Sequence, residues 1–174
     1  MIRDNWRFRS FKSVVGLKGK IGVLIFFVFS ILIYPVWKIK KFDYFKLFFL
    51  TNVIVKNKNG LYYCRKRSWD FWHVREDYEE WIRNYFDIDR GIFIDVGAHI
   101  GKYTIMIGRK LRNKGKVIAI EPSSDNFKAL LSNIHLNNLT NVIPLKMACF
   151  SEKGKAKLYL TGEIGSGTFH SQEN

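Results

Sequence analysis

The sequence predicts an α/β domain built on a parallel sheet, and two features of residues 92–147 carry that prediction. First, short apolar runs at 92–96, 116–120 and 141–147 alternate with helix-like segments at 102–111 and 125–137. Second, a turn of small residues follows the first run, and the pair Glu121 and Pro122 follows the second. A β-α-β-α-β order produces parallel strands joined by right-handed crossovers.

Each predicted element has its own local signal. The run at 92–96 is apolar almost throughout, which is typical of a parallel strand buried on both faces. The segment 125–137 places four apolar side chains on one helical face, namely Phe127, Leu130, Leu131 and Ile134. The first helix is expected to end at the Asn-Lys-Gly sequence of residues 113–115.

Two further elements are predicted upstream of the sheet. Residues 52–56 and 61–65 form a hairpin around the Asn-Gly pair at 59–60, which is a strong turn signal. Residues 70–86 are predicted as an amphipathic helix with one buried face. That face would contain Tyr78, Trp81, Ile82 and Tyr85; such a stripe could stack on bases, although packing is the commoner use.

Length and composition narrow the class of protein. The chain has 174 residues, of which 47% are hydrophobic, so it can bury a core and is not disordered throughout. Cys64 and Cys149 are its only cysteines, which excludes a disulfide scaffold and a four-cysteine zinc site. We therefore predict no metal and a reducing compartment.

The positive charge is concentrated at the N-terminus. The net charge is +14, and residues 1–50 hold 10 Lys/Arg against 2 Asp/Glu. Residues 51–174 hold 19 Lys/Arg against 13 Asp/Glu, so the globular part is only mildly basic. This distribution argues against nucleic acid as the partner, and it favours a partner that binds the N-terminal arm.

Residues 21–37 predict that this partner is a membrane, because all 17 of them are uncharged and most are apolar. As a helix they would be roughly 26 Å long, near the lower limit for a bilayer core of about 30 Å. Lysines flank the segment on both sides, so the positive-inside rule does not predict its orientation. A helix that lies in the inner leaflet is therefore an alternative to a spanning helix. We predict a membrane-associated protein with its folded domain on the cytoplasmic side.

Three regions are expected from this organisation. Residues 1–43 form a basic arm with the hydrophobic helix, residues 44–90 hold the hairpin and the amphipathic helix, and residues 91–174 hold the α/β part. The folded domain is expected to begin between residues 44 and 51.

A ligand site is predicted where the strands end. In a parallel sheet ligands bind beyond the carboxyl ends of the strands. Gly97 and Gly101 lie there after the first strand, and Glu121 lies there after the second. Glycine allows close approach to the backbone, and a carboxylate at the second position can accept hydrogen bonds from ribose hydroxyls. The pattern indicates a cofactor that contains adenosine.

Asp95 distinguishes between possible cofactors. The turn lacks the third glycine of the nicotinamide motif, and no Gly-Lys-Ser/Thr of a nucleoside triphosphate loop follows it. A carboxylate just before the turn would repel a pyrophosphate but would suit a cationic ligand. The sequence therefore favours S-adenosylmethionine over NAD.

Four stretches occur in a fixed order along the chain: Ile94-Asp95-Val96-Gly97-Ala98-His99-Ile100-Gly101, then Ile120-Glu121-Pro122, then residues 130–139, and then residues 148–168. In this ordered set the chain resembles the FkbM family of methyltransferases. The resemblance covers about residues 52–170. His99 stands where that family often has asparagine.

The resemblance implies a Rossmann-like methyltransferase fold, a three-layer sandwich, that uses S-adenosylmethionine to methylate hydroxyl oxygens. Its acceptors would be glycans, lipid-linked sugars or other natural products. The methionine end would be lined by Asp95, Gly97, Ala98, His99, Gly101 and Thr104. Glu121 would hold the ribose, and Pro122 and Ser123 would border the adenine.

Two alternatives stay open at the level of sequence. One is an RNA methyltransferase that uses the basic residues for phosphate contacts. The other is a catalytically incomplete fragment that binds only cofactor or membrane, because we expect the domain to stop after its third core strand. No catalytic base can be assigned, and His99, His135 and His170 are each weak candidates.

Overall fold

The computed structural model describes residues 6–40, 51–154, 157–160 and 167–170. The helices are α1 (Trp6–Ser13), α2 (Leu17–Lys40), α3 (Asp70–His73), α4 (Lys102–Leu111) and α5 (Ser124–Leu136), with short 3-10 helices at Glu80–Tyr85 and Arg112–Lys114. The strands are β1 (Val14–Val15), β2 (Val53–Asn57), β3 (Gly60–Cys64), β4 (Gly91–Val96), β5 (Gly115–Ile120), β6 (Val142–Leu145), β7 (Lys157–Leu160) and β8 (Gly167–His170).

The predicted parallel sheet is confirmed. Its strands lie in the order β4-β5-β6, and each neighbouring pair is parallel. Asp95 is in register with Ala119, and Val96 is in register with Ile120. Consequently the residues that follow β4 and β5 meet at one edge of the sheet.

One face of this sheet is covered by α4 and α5. The core between them contains Ile107 and Leu111 from α4, Leu130 from α5, and Val117 and Ala119 from β5. The opposite face is open in the part of the chain that the structure describes, since Ile92, Ile94, Val96 and Ile143 are exposed there. The described residues thus give the parallel sheet one helical layer, because two successive crossovers of the same hand place both helices on the same face, and the third layer of the expected sandwich stays a prediction.

The hairpin belongs to a second, antiparallel sheet. β2 and β3 pair as predicted, with Val53 opposite Cys64 and Asn57 opposite Gly60. The sequence reasoning missed β1, which lies in the basic arm and pairs with β2 through Val14 and Val55. The arm therefore contributes a strand to the fold.

A second core joins this sheet to the helices. It combines strand residues such as Val53 and Tyr62 with Ile105 of α4 and Ala129 of α5. Helices α4 and α5 consequently contact both sheets.

Helix α2 contains the apolar segment 21–37. In its first half, Val23 and Phe26 are buried in the core formed by the antiparallel sheet. The predicted transmembrane helix is not found: among the residues described, no helix combines the length and the apolar character needed to cross a bilayer. The expected start of the folded domain, within residues 44–51, falls almost wholly outside the described residues.

The predicted helix over residues 70–86 is wrong. The chain forms the single turn α3, then turns, and then a 3-10 helix at Glu80–Tyr85. Glu79 interrupts any continuous helix, because its φ of 55° lies in the left-handed region. Three of the four residues predicted to form a buried stripe are exposed, among them Trp81 at 66% and Tyr85 at 77% of their full accessibility, whereas Ile82 is half-buried.

Candidate cofactor site

The turn after β4 leaves an open space above Gly97. Gly97 has a φ of 77°, and a Cβ built on it would meet no atom within 4 Å. Its N–H and that of Ala98 both donate hydrogen bonds to the carbonyl of Ile120, at 2.9 and 3.0 Å. The turn is thus hydrogen-bonded to the end of β5, and the space that a side chain at Gly97 would fill is open to a ligand.

Gly101 has a packing role that the sequence did not predict. It also has a positive φ, of 92°, but a Cβ there would lie 2.7 Å from Cδ1 of Leu130 on α5. That distance is too short for carbon atoms, so Gly101 lets α4 begin against α5. Gly101 therefore supports helix packing, and its predicted contact with the cofactor stays a prediction.

Asp95 is buried at the end of β4, with 8% exposure. Thr104, in the first turn of α4, donates a hydrogen bond from its hydroxyl to Asp95 Oδ2 and another from its backbone N–H. Burial raises the pKa of Asp95 above its ordinary value, the two hydrogen bonds oppose that shift, and the charge of Glu121 adds to it. Thr104 thus holds this carboxylate in place, and its predicted position near the cofactor stays a prediction.

Glu121 is more deeply buried, with 4% exposure. Its Oε2 accepts the backbone N–H of His99 at 2.8 Å, and its Oε1 accepts the backbone N–H of Ser123 at 2.9 Å and the amide of Asn126 at 3.3 Å. The carboxylate therefore connects the turn after β4 to the start of α5. Since Oε2 accepts one hydrogen bond, it retains a lone pair for a ligand hydroxyl.

The two acids form a negative site without a basic partner. Neither Asp95 nor Glu121 makes a salt bridge with any lysine, arginine or histidine that the structure describes. Buried charges in proteins are ordinarily paired. A cation bound at this edge of the sheet would supply the missing positive charge.

The side chain of His99 points to another cluster. The backbone of His99 is left-handed, with a φ of 52°, and its Nε2 lies 4.0 Å from Oδ1 of the fully buried Asp70. Its ring meets that of His73 edge-on, with centroids 5.2 Å apart. Burial lowers the pKa of His99 to about 4, so its imidazole is neutral at pH 7.

Asp70 is the centre of that cluster. Arg65 donates to it from Nε at 2.7 Å and from Nη2 at 2.8 Å, and its backbone N–H adds a third bond at 2.9 Å. Burial raises the pKa of Asp70, but the hydrogen bonds and charge of Arg65 outweigh it and hold that pKa below its ordinary value. The cluster lies beside the turn after β4 and was not predicted from the sequence.

The other predicted site residues have mainly structural contacts. Ala98 is 5% exposed and packs in the core beneath the parallel sheet. Ser123 is buried at the N-terminus of α5, and Pro122 beside it is half-buried. Of the remaining histidines, His135 is exposed on α5, and His170 lies in β8, away from the turn in sequence.

Sequence reasoning missed Asn133 and Asn137, which position the site. Asn133 is fully buried on α5; its amide donates to the carbonyl of Ile100 at 2.8 Å, next to the turn. Asn137 accepts the N–H of Leu61 at 2.9 Å and donates to the carbonyl of the same residue. Their separation of four residues on one helix was the available signal, because it places both amides on one face.

The chain matches no family model, so its resemblance to the FkbM family stays a prediction. It matches no curated protein either. Similar solved structures include TYW2 of M. jannaschii in complex with AdoMet, at 29% identity over 56% of this chain and 43% of that chain, with a TM-score of 0.44. TYW2 of P. horikoshii in complex with MeSAdo is 26% identical over 56% and 36%, with a TM-score of 0.43.

A third similar structure is Trm5b from Pyrococcus abyssi, which is 22% identical over 55% of this chain and 28% of that chain, with a TM-score of 0.40. This chain spans less than half the length of each of these three proteins.

Proposed function

We propose that this chain binds S-adenosylmethionine and forms the cofactor-binding part of a methyltransferase. One observation carries the proposal: the buried carboxylates of Asp95 and Glu121 meet at the ligand edge of a parallel sheet without a basic partner among the described residues. S-adenosylmethionine is a cation at both its sulfonium and its ammonium group, so it matches that charge. NAD carries a pyrophosphate, which the same carboxylates would repel.

The residues fit the cofactor in shape as well as in charge. The open position at Gly97 provides room for the ligand against the backbone of the turn. Glu121 retains a lone pair on Oε2 for a ribose hydroxyl, and three hydrogen bonds fix its orientation. Asp95, held by Thr104, would face the positively charged methionine end.

When bound, S-adenosylmethionine supplies an electrophilic methyl group. The chain's own part is to fix the cofactor so that an acceptor oxygen can lie in line with that methyl group, within roughly 3–3.5 Å. Ile100 and the turn before it are held by Asn133, which restricts movement at this edge.

We propose a hydroxyl oxygen of a glycan, a lipid-linked sugar or a related natural product as the acceptor, as the resemblance to the FkbM family implies. The charge distribution supports this class over RNA, because residues 51–174 carry a net charge of only +6, from 19 basic and 13 acidic residues. RNA binding depends on neutralising several phosphates with lysine and arginine.

Calorimetric titration of the full chain tests cofactor binding. We expect S-adenosylmethionine to bind and NAD not to bind. Asp95→Asn should weaken binding, whereas Asp89→Asn should not, because Asp89 is an exposed carboxylate that precedes β4, at the opposite end of that strand from the turn. Equal affinity for the Asp95→Asn variant and the wild type would refute the site.

Methyl transfer is tested separately with the methyl-labelled cofactor. Acceptors should include hydroxyl-rich oligosaccharides, their lipid-linked forms and transfer RNA. Label in the sugar fractions is expected; label in RNA alone would replace the acceptor proposal while leaving the cofactor site intact. Cofactor binding without transfer to any acceptor would identify a binding fragment.

A further inference from the structure

The first half of helix α2 has two apolar faces, and among the described residues only one of them packs into the core. The inner face contributes Val23, at 0% exposure, and Phe26, at 7%, to the core with the antiparallel sheet. The other face is exposed in the first half of the helix, at between 44% and 75% of full accessibility, through Leu17, Ile21, Leu24, Ile25, Val28 and Phe29. We call these six residues the outer face.

The outer face is continuous. At 100° per residue its six side chains fall within about 140° of the helix circumference, on the side opposite Val23 and Phe26. Large exposed apolar side chains on soluble surfaces are usually scattered, whereas a continuous patch marks a surface that contacts something apolar.

The charge around the outer face indicates what that contact is. Helix α2 contains four lysines and no acidic residue, and residues 1–20 hold six basic residues against one acidic residue. Lys18 is exposed in the first turn of the helix, on the same side as the outer face. A protein partner with an apolar groove requires no such excess of one sign, but an anionic lipid surface attracts it.

We propose that the outer face of α2 docks on an anionic lipid bilayer, with the helix lying along the surface while its inner face stays on the protein. This differs from a spanning helix, because Val23 and Phe26 remain in the protein core. It does not depend on the proposed methyl transfer. The anionic surface expected is that of the cytoplasmic leaflet, where acidic lipids are concentrated.

The docked helix would also set the orientation of the candidate cofactor site. β1 directly precedes α2 and pairs with β2, which pairs with β3. From β3, the hydroxyl of Tyr62 donates to the carbonyl of Lys102, the first residue of α4, at 3.2 Å. A bilayer under α2 would thus hold the candidate site at a fixed position relative to the lipid surface.

Vesicle sedimentation with the full chain tests the proposal. Vesicles of phosphatidylcholine with 30% phosphatidylserine are compared with pure phosphatidylcholine at about 0.1 M salt, a Debye length of about 10 Å. We expect binding to the anionic vesicles and much less to the neutral ones. The double variant Leu24→Glu/Val28→Glu should lose binding by at least tenfold.

Two further variants make the result specific. Leu131→Glu is the control, because Leu131 is an apolar residue of α5 that is exposed to 41% and is not part of the outer face, and this variant should bind as the wild type does. Lys18→Gln should weaken binding to anionic vesicles about fivefold, the effect of one lysine near such a surface.

Three outcomes would overturn the proposal. The first is unchanged sedimentation of the Leu24→Glu/Val28→Glu variant, and the second is equal binding of the wild type to neutral and anionic vesicles. The third is a wild type that fails to sediment with vesicles but forms a dimer in ultracentrifugation that the double variant abolishes, in which case a second copy of the chain covers the outer face. Circular dichroism of each variant verifies that it is folded.

Discussion

The side-chain amide of Asn133 on α5 is hydrogen-bonded to the backbone of Tyr63 on β3, which lies 70 residues earlier in the sequence. Oδ1 of Asn133 accepts the N–H of Tyr63 at 2.5 Å, and its Nδ2 donates to the carbonyls of Tyr63 at 3.4 Å and Ile100 at 2.8 Å. Asn137 repeats this pairing with Leu61 one helical turn later. The two amides act as a neighbouring strand would for β3, whose other edge is paired with β2.

Removing the amide of Asn133 should therefore destabilise the whole fold. Asn133→Ala removes the hydrogen-bond partner of the Tyr63 N–H and of the carbonyls of Tyr63 and Ile100. Because these groups are buried or partly buried, we expect a loss of about 2–4 kcal/mol in the free energy of unfolding. Urea denaturation measures it. Ser132→Ala, the exposed neighbouring position, should change stability by less than about 0.5 kcal/mol; similar losses in both variants would contradict the junction.

The two carboxylates should recognise different parts of the cofactor. Glu121→Gln should weaken binding of 5′-methylthioadenosine, which has the ribose but no amino-acid end, by about 1–3 kcal/mol. Asp95→Asn should leave that ligand unaffected and weaken only S-adenosylmethionine. Calorimetry of both ligands with both variants gives the four affinities, and a reversed pattern would exchange the two assigned roles.

The two glycines of the turn should differ when each is replaced by alanine. Gly97→Ala places a methyl group in open space, so stability should fall by only about 1 kcal/mol for the left-handed backbone, while cofactor affinity falls clearly. Gly101→Ala places it against Leu130, and overpacking should add about 1–3 kcal/mol to the same backbone cost. Thermal unfolding and calorimetry together test this, and equal stability losses would contradict it.

Stability should depend on pH through His99. Its pKa is lowered in the folded state to about 4, chiefly by burial, with His73 and Arg65 adding to the shift and Asp70 opposing it. The unfolded chain therefore binds a proton that the folded chain does not between pH 6.5 and about 4. The stabilisation is present above the unfolded pKa and is lost as pH falls through this window.

His99→Asn removes that proton and should flatten the pH dependence. Urea denaturation of both proteins at several pH values between 4 and 7.5 gives the difference, with a maximum slope of about 1.4 kcal/mol per pH unit. Taking the difference removes most of the contribution of Asp95, whose pKa is raised, and that of Asp70, whose pKa is lowered. Parallel curves for the two proteins would show that His99 is not the group responsible.

Much of the secondary structure was predictable because its signals are local. The hairpin follows from Asn59 and Gly60, and the parallel strands follow from short apolar runs between helices. The failure at residues 70–86 has a specific cause. The aromatic spacing matched a helix, but Glu79 adopts a left-handed backbone and its carboxylate accepts the hydroxyl of Tyr103 and the ammonium of Lys102 instead.

The sequence by itself determined the parallel sheet and the positions of Asp95 and Glu121 at the carboxyl ends of its strands, since neighbouring parallel strands end at the same edge. Only the tertiary structure decided that Gly101 serves the packing of α4 on α5, that His99 turns toward Asp70, and that α5 completes the edge of β3. Those contacts join residues far apart in the chain. Which residues contact one another there depends on how the helices and sheets pack when the cores form. The local periodicity of the sequence contains no information about that packing.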